Sequence, residues 1–249
     1  MTANDFIRSA ELSAPYLTDE TLTLGEKIYY AVAATHKELN CNTNLGIILV
    51  CAPLLHACQG ASGDLSLRTR LARVLEDSTQ ADARWTYRAI RMAAPAGLGE
   101  APEQDVREEP TITLKQVMAI ASDRDRIAWQ YTNTYADIFD FAIIRYHSVL
   151  GRWGDESWAA VAVYVDLLRN IADSHIERKY GNRFTRMVKD RMALLHEELC
   201  KTDRPEQLKQ QFQDVDREFK SAGINPGTTA DLTVATLLAV RLELLLGTH

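Results

Sequence analysis

"GINPGTTADLTVATLLA" (Gly223–Ala239) sets a short, stiff, polar run directly before a long apolar one. The apolar part continues through "VRLELLLG" to Gly247. No alternation of apolar and polar residues marks it as strand, so it reads as a buried helix. Its opening carries more apparatus than a plain helix needs. Pro226 fixes φ, Gly227 allows a close or left-handed backbone, and Thr228 or Thr229 can cap the helix. With Thr228 as the cap, Asp231 falls at the third helical position and completes a variant of the capping box. Capping accounts for Thr228 and Asp231 alone. A helix N-terminus also favours a phosphate, and a carboxylate beside it can hold a cation that bridges phosphates.

The rest of the chain reads the same way, as helices with short breaks. "EKIYYAVAATHKEL" places Ile28, Ala31, Val32 and Leu39 at helical spacing. "NTNLGIILVCAPLLHAC" predicts a buried helix with a kink or break near Pro53. "STQADARWTYRAIRMA" predicts a helix capped by Ser78 or Thr79, with Asp82 in its first turn. "TLKQVMAIASDRDRIAWQYTNTYADIFDFAIIRYHSVL" reads as one or two long helices. "DESWAAVAVYVDLLRNIA", "RFTRMVKDRMALLHEELCK" and "RPEQLKQQFQDVDREFKSAG" follow. The one long loop, "APAGLGEAPEQDVREEP", is rich in Pro, Gly and acid, a length that points to function. The fold class is therefore all-α, a single multi-helix domain with buried central helices spanning residues 1–249.

Composition narrows the function classes. The 249 residues are 46% hydrophobic and 25% charged, ordinary for a soluble protein with a real core. The 28 Lys and Arg against 34 Asp and Glu leave a net charge of −6, which argues against a nucleic-acid binder. A helical transcription regulator fits neither that acidity nor the lack of a recognition-helix pattern. Cys41, Cys51, Cys58 and Cys200 lack zinc spacing and read as reduced thiols of a cytoplasmic protein. The longest apolar run contains Pro53 and is too short for a membrane span, and "MTANDFIRSAEL" has no signal-peptide pattern.

Two further polar runs resemble the first. Asn42, Thr43, Asn44 and Gly46 precede a buried helix with more donors and acceptors than one cap uses. In "NIADSHIERKYG" an apolar helix runs into Asp173, Ser174, His175, Glu177, Arg178, Lys179 and Gly181. Cations and a glycine suit a helix C-terminus, but Asp173 and His175 go unexplained by that. Arg84, Arg88 and Arg91 share a helical face, most simply a solvated or salt-bridged one. His36, His56, His147 and His196 show no metal-ligand spacing.

Taken in order, these runs resemble the triphosphoribosyl-dephospho-CoA synthases, an all-helical family that makes the precursor of an acyl-carrier prosthetic group. Its Asn-Thr-His-Lys-Gly corresponds to Asn42, Thr43, Asn44, Leu45 and Gly46. Its mid-chain Gly-x-Arg-Gly-Glu-Ala is matched by Gly99, Glu100 and Ala101, with Leu98 at the Arg position. Its Asp-Thr-Asn motif is matched by Asp173, Ser174 and His175, with Lys179 for Arg and Gly181 for the last Gly. Its Ser-Pro-Gly-Gly-Ser-Ala-Asp-Leu is matched by Asn225 to Leu232. Asn44 and Leu45 replace a His-Lys pair, as in a divergent branch found in archaea and in bacteria of one-carbon metabolism. The family's leading Lys-Pro-Gly segment has no counterpart before "MTANDFIRSA".

The resemblance implies transfer of the 5-triphosphoribosyl group of ATP to a hydroxyl of dephospho-CoA or another cofactor precursor, with release of adenine. Asp173 and His175 are the expected catalytic residues. Asn42, Thr43, Asn44, Gly46, Arg178, Lys179, Gly227, Thr228 and Thr229 are expected to bind substrate, and Glu100, Asp173 and Asp231 to hold Mg²⁺. The polar runs should then meet, with Asp173, Asp231, Asn42 and Glu100 lining one cleft. The partners are ATP and the acceptor, with no nucleic acid and no membrane; a homo-oligomer is left open. The departures support an alternative, a non-catalytic nucleotide- or partner-binding protein of the same fold.

Overall fold

Helical periodicity and a lack of strand-forming alternation produce helices throughout the computed structural model, which describes residues 2–39, 44–60, 65–93 and 104–247. Among the described residues there are thirteen α-helices and no strand, so the chain is all-α. None of these helices is long and apolar enough to cross a membrane. The chain divides into two compact units, Met1–Tyr135 with Leu238–His249, and Ala136–Leu237.

The first unit contains α1 (Ala3–Thr18), α2 (Leu24–Leu39), α3 (Leu45–Ala57), α4 (Leu67–Glu76), α5 (Gln80–Ala93), α6 (Leu114–Ala121) and α7 (Arg126–Thr132). Helix α2 packs on α1, α3 and α5, and α3 packs on α4. Helix α3 is apolar all round, and Ile48, Val50, Ala52 and Leu54 lose all contact with solvent. Of the kink or break expected near Pro53, the break is absent: the helix runs through the proline. A proline has no N–H for the carbonyl four residues before it, here that of Leu49. The Tyr131 hydroxyl donates to that oxygen at 2.6 Å, and the Tyr135 hydroxyl to Val50 O at 3.0 Å. Tyr131 therefore replaces the donor that the proline removes, and Tyr135 bonds the next carbonyl along.

The start of α5 follows the sequence expectation. Thr79 caps it, and Asp82 Oδ2 accepts from the Thr79 N–H at 2.8 Å and its hydroxyl at 2.7 Å. The other oxygen of Asp82 accepts from the Gly25 N–H of α2 at 2.8 Å. One carboxylate thus serves two helix N-termini, where donors are orphaned and the dipole is positive. Gly25 permits this approach, since a Cβ there would lie 2.5 Å from Asp82 Cα. The described part of the long loop is held on α5: Tyr87 donates to Gln104 O at 2.6 Å, and Gln80 to Pro110 O at 2.8 Å. The arginine stripe has protein partners. Arg84 pairs with Glu109 at 3.0 Å, Arg88 lies over Trp85, and Arg91 donates to Val106 O.

The stretch between residues 113 and 150, expected as one or two long helices, is broken twice. Asp125 restarts it by accepting from the Ile127 and Ala128 N–H groups. Thr134 and Tyr135 then take positive φ values of 48° and 55°. The second unit follows with a π-helical turn (Asp137–Ala142), α8 (Ile143–Trp153), α9 (Glu156–Asn170), α10 (Ser174–Tyr180), α11 (Thr185–Lys201) and α12 (Lys209–Ser221). Helix α9 packs on α8 and α11, with Ala159, Ala162, Val163 and Val165 fully buried. Helix α13 (Gly227–Leu246) contributes residues to both units.

Candidate functional site

Helix α13 begins two residues before the position that a Thr228 cap would give. The Pro226 carbonyl accepts from the Ala230 N–H at 3.1 Å, the first bond of the helix, so Pro226 is its N-cap. Thr228 is therefore not the cap, and Asp231 lies one turn inside the helix rather than in a capping box. Proline has no side-chain acceptor to offer the opening N–H groups. The acceptor comes instead from Asp173, the N-cap of α10.

Asp173 Oδ1 accepts from the N–H groups of His175 at 2.9 Å and Ile176 at 3.1 Å. Its Oδ2 accepts from the Thr229 N–H and from the Thr229 hydroxyl, both at 2.8 Å. Only 5% of Asp173 is exposed, so these four bonds are what compensates a buried negative charge. The second unit thus repeats the device of Asp82, one carboxylate between two helix starts. Beside it the Ser174 and Thr228 hydroxyls meet at 3.0 Å. The His175 ring lies against Gly227, where a Cβ would come within 2.6 Å of Nδ1. The Tyr180 hydroxyl donates to Gly223 O at 3.0 Å. The two polar runs are thereby paired residue by residue: 173 with 229, 174 with 228, 175 with 227, 180 with 223. Burial, and after it the charge of Asp173, pushes the Tyr164 hydroxyl well above its ordinary pKa.

The seam buries some of the sequence-chosen residues and leaves others half-buried or exposed. Thr228 and Thr229 are buried and used within the protein. His175, Arg178 and Asp231 are half-buried, and Lys179 is exposed with its ammonium 4.9 Å from the Tyr180 ring centre. In the first unit Asn44 is buried at the start of α3, and its Oδ1 accepts from the Thr35 hydroxyl at 3.2 Å rather than capping the helix. Gly46 lies in the first turn of α3. Asn42, Thr43 and Glu100 lie outside the described residues. As a metal ligand Asp173 fits poorly, because both its oxygens are engaged by N–H and O–H donors. No three His, Cys, Asp or Glu side chains gather as a ligand set among the described residues.

A sequence profile of the ATP:dephospho-CoA triphosphoribosyl transferase family matches residues 1–248. The chain belongs to this family. The triphosphoribosyl transferase fold is seen again in the crystal structure of a protein from Archaeoglobus fulgidus assigned as a triphosphoribosyl-dephospho-CoA synthase. That structure superposes with a TM-score of 0.72 over 95% of this chain and 98% of the other, at 19% identity. At that identity the likeness is one of fold. No curated protein matches the sequence.

Proposed function

We propose that this transferase moves the 5-triphosphoribosyl group of ATP to a hydroxyl of dephospho-CoA or a similar cofactor precursor. The acceptor oxygen attacks the ribose C1′, the glycosidic bond to adenine breaks, and its electron pair leaves with the base. Adenine gains a proton and the acceptor hydroxyl loses one. The observation that supports this reading is the seam between α10 and α13, which holds a half-buried imidazole against the first residue of a 20-residue helix.

His175 is the proton-transfer group of the proposal, since imidazole both gives and takes a proton near neutral pH. Asp173 acts through position: it fixes the two helix starts that carry His175 and Gly227. Arg178 and Lys179, next along α10, supply charge for the triphosphate. Asp231 is the carboxylate proposed to meet the Mg²⁺ that accompanies ATP. Each role concerns residues of one compact unit.

Chromatographic measurement of adenine from ATP and dephospho-CoA tests the reading. His175→Gln should slow release by about a hundredfold or more, the usual range for losing a general acid or base, with the melting temperature kept. Calorimetry with ATP, with and without Mg²⁺, reads binding separately. Binding without adenine release would leave a nucleotide-binding protein. Neither binding nor release at millimolar ATP would refute both.

A further inference from the structure

A second constellation, made of other residues than the α10–α13 pairs described above, lies in the same unit. Asp166 of α9 is 2% exposed. Its Oδ1 lies 2.5 Å from Nδ1 of His196 on α11, and the other ring nitrogen, Nε2, lies 3.4 Å from Sγ of Cys200. Asp166 also pairs with Arg145 of α8 at 2.6 Å and, more loosely, with Arg169 at 3.6 Å. The two guanidinium groups compensate the buried carboxylate. The carboxylate accepts a hydrogen bond from Nδ1–H and so leaves Nε2 bare toward the thiol. An ion-pair network joining α8, α9 and α11 needs the aspartate, the arginines and the imidazole. It has no need of a thiol at the exposed end.

We propose that Cys200 is a reactive thiol, with His196 as its base and Asp166 as a positioning residue, and that it undergoes exchange with low-molecular-weight disulfides. The Cys200 proton passes to His196 Nε2. The thiolate attacks one sulfur of the disulfide, a bond forms between Sγ and that sulfur, and the disulfide bond breaks. The second sulfur leaves as a thiolate and takes the proton from His196. The disulfide is the oxidant, and it is reduced to one free thiol as Cys200 becomes a mixed disulfide.

The surroundings favour this chemistry over acyl transfer. A tetrahedral oxyanion needs converging N–H donors, whereas the last turn of α11 presents carbonyl oxygens. Arg152 caps that turn, donating to Cys200 O at 3.2 Å and to Thr202 O at 2.8 Å. Disulfide exchange requires only a thiolate, a proton acceptor and access, and Cys200 is exposed. Cys51 is buried, and burial pushes the Cys58 thiol up. Cys41 lies outside the described residues.

The full, reduced chain is mixed with dithiobis(nitrobenzoate), thiolate release is followed, and mass spectrometry locates the adduct. The charged groups around the thiol are Asp166 and Arg169 from α9, Arg145 and Arg152 from α8, and Glu197, Glu198 and Lys201 on α11. The expected result is one fast thiol per chain at pH 7, about tenfold or more faster than free glutathione, and lost in Cys200→Ser. His196→Gln should slow it about tenfold at pH 7 but leave it unchanged near pH 10, roughly above the ordinary thiol pKa, where no base is needed. A fast phase at another cysteine, a Cys200 no faster than glutathione, or a His196→Gln protein that reacts like the parent at pH 7 would each overturn the proposal.

Discussion

Replacing Asp173 by Asn separates a positioning carboxylate from a chemical one. The side chain accepts four hydrogen bonds, three from backbone N–H groups and one from a hydroxyl. An amide keeps one acceptor oxygen. If that oxygen stays with His175 and Ile176, the new NH₂ faces the Thr229 N–H, donor against donor. The Thr229 hydroxyl can turn and accept, but the N–H cannot. A buried donor left unsatisfied costs about 1–3 kcal/mol, and two bonds to a charged oxygen become neutral ones at about half the strength. Easier burial of a neutral group offsets part of this. The net loss is about 3 kcal/mol, or on the order of 10 °C in melting temperature for a chain of this size. Urea unfolding followed by circular dichroism measures it. Thr229→Val, which removes only the hydroxyl, should cost about 1 kcal/mol. A stability loss for Asp173→Asn under about 1 kcal/mol, a single ordinary hydrogen bond, together with abolished adenine release, would refute the reasoning and return Asp173 to the chemistry.

Gly227→Ala should push the His175 ring aside, since a Cβ would lie 2.6 Å from Nδ1. Stability should change by about 1 kcal/mol or less, while adenine release falls as far as in His175→Gln and no further in the double variant. The same change at Gly25 meets backbone, Asp82 Cα at 2.5 Å and O at 2.7 Å, and should cost about 2–3 kcal/mol in thermal or urea unfolding. Tyr131→Phe strands the Leu49 carbonyl that Pro53 cannot serve and should cost about 1–3 kcal/mol by the same measurement. Alkaline titration should show four late tyrosines. Burial pushes Tyr87 up to about 12 and Tyr131, Tyr135 and Tyr164 well above the ordinary value. Above pH 10 the folded chain keeps protons the unfolded chain has lost, so each adds about 1.4 kcal/mol of lost stability per pH unit. Lys27, whose pKa burial lowers from 10.5, acts with opposite sign below that value. Tyrosinate absorbance that rises smoothly for all nine tyrosines before unfolding would contradict this.

The helical class was legible because spacing such as Ile28, Ala31 and Val32 is a local property of the chain. So was the capping of α5 by Thr79 and Asp82. Partners far along the chain were not. Asp173, Ser174, His175, Gly227, Thr228 and Thr229 were all singled out as residues, yet nothing local says that they pair with one another. That pairing also explains the misplaced cap: with Asp173 serving α13 from outside, Thr228 was free to join the helix. Of the kink or break expected at Pro53, the break does not occur for the same reason, since Tyr131 is 82 positions away from the carbonyl it satisfies. For Cys200, the spacing His196-x-x-x-Cys200 on one helical face was a visible signal. Its meaning depends on Asp166 of another helix.

The last helix is shared: Gly227–Leu237 is counted with one compact unit, and Leu238–Leu246 with the other. A ribosome makes the chain from the other end. At about 5–20 residues per second, the 56 positions between Asp173 and Thr229 take roughly 3–11 s to synthesise. For that interval one oxygen of Asp173 has only water, and α10, at seven residues, is too short to persist alone. A nascent chain stalled before Gly227 therefore lacks residues that belong to each of the two units. Chains terminated before Gly227 should therefore be cleared by proteases as unfinished molecules.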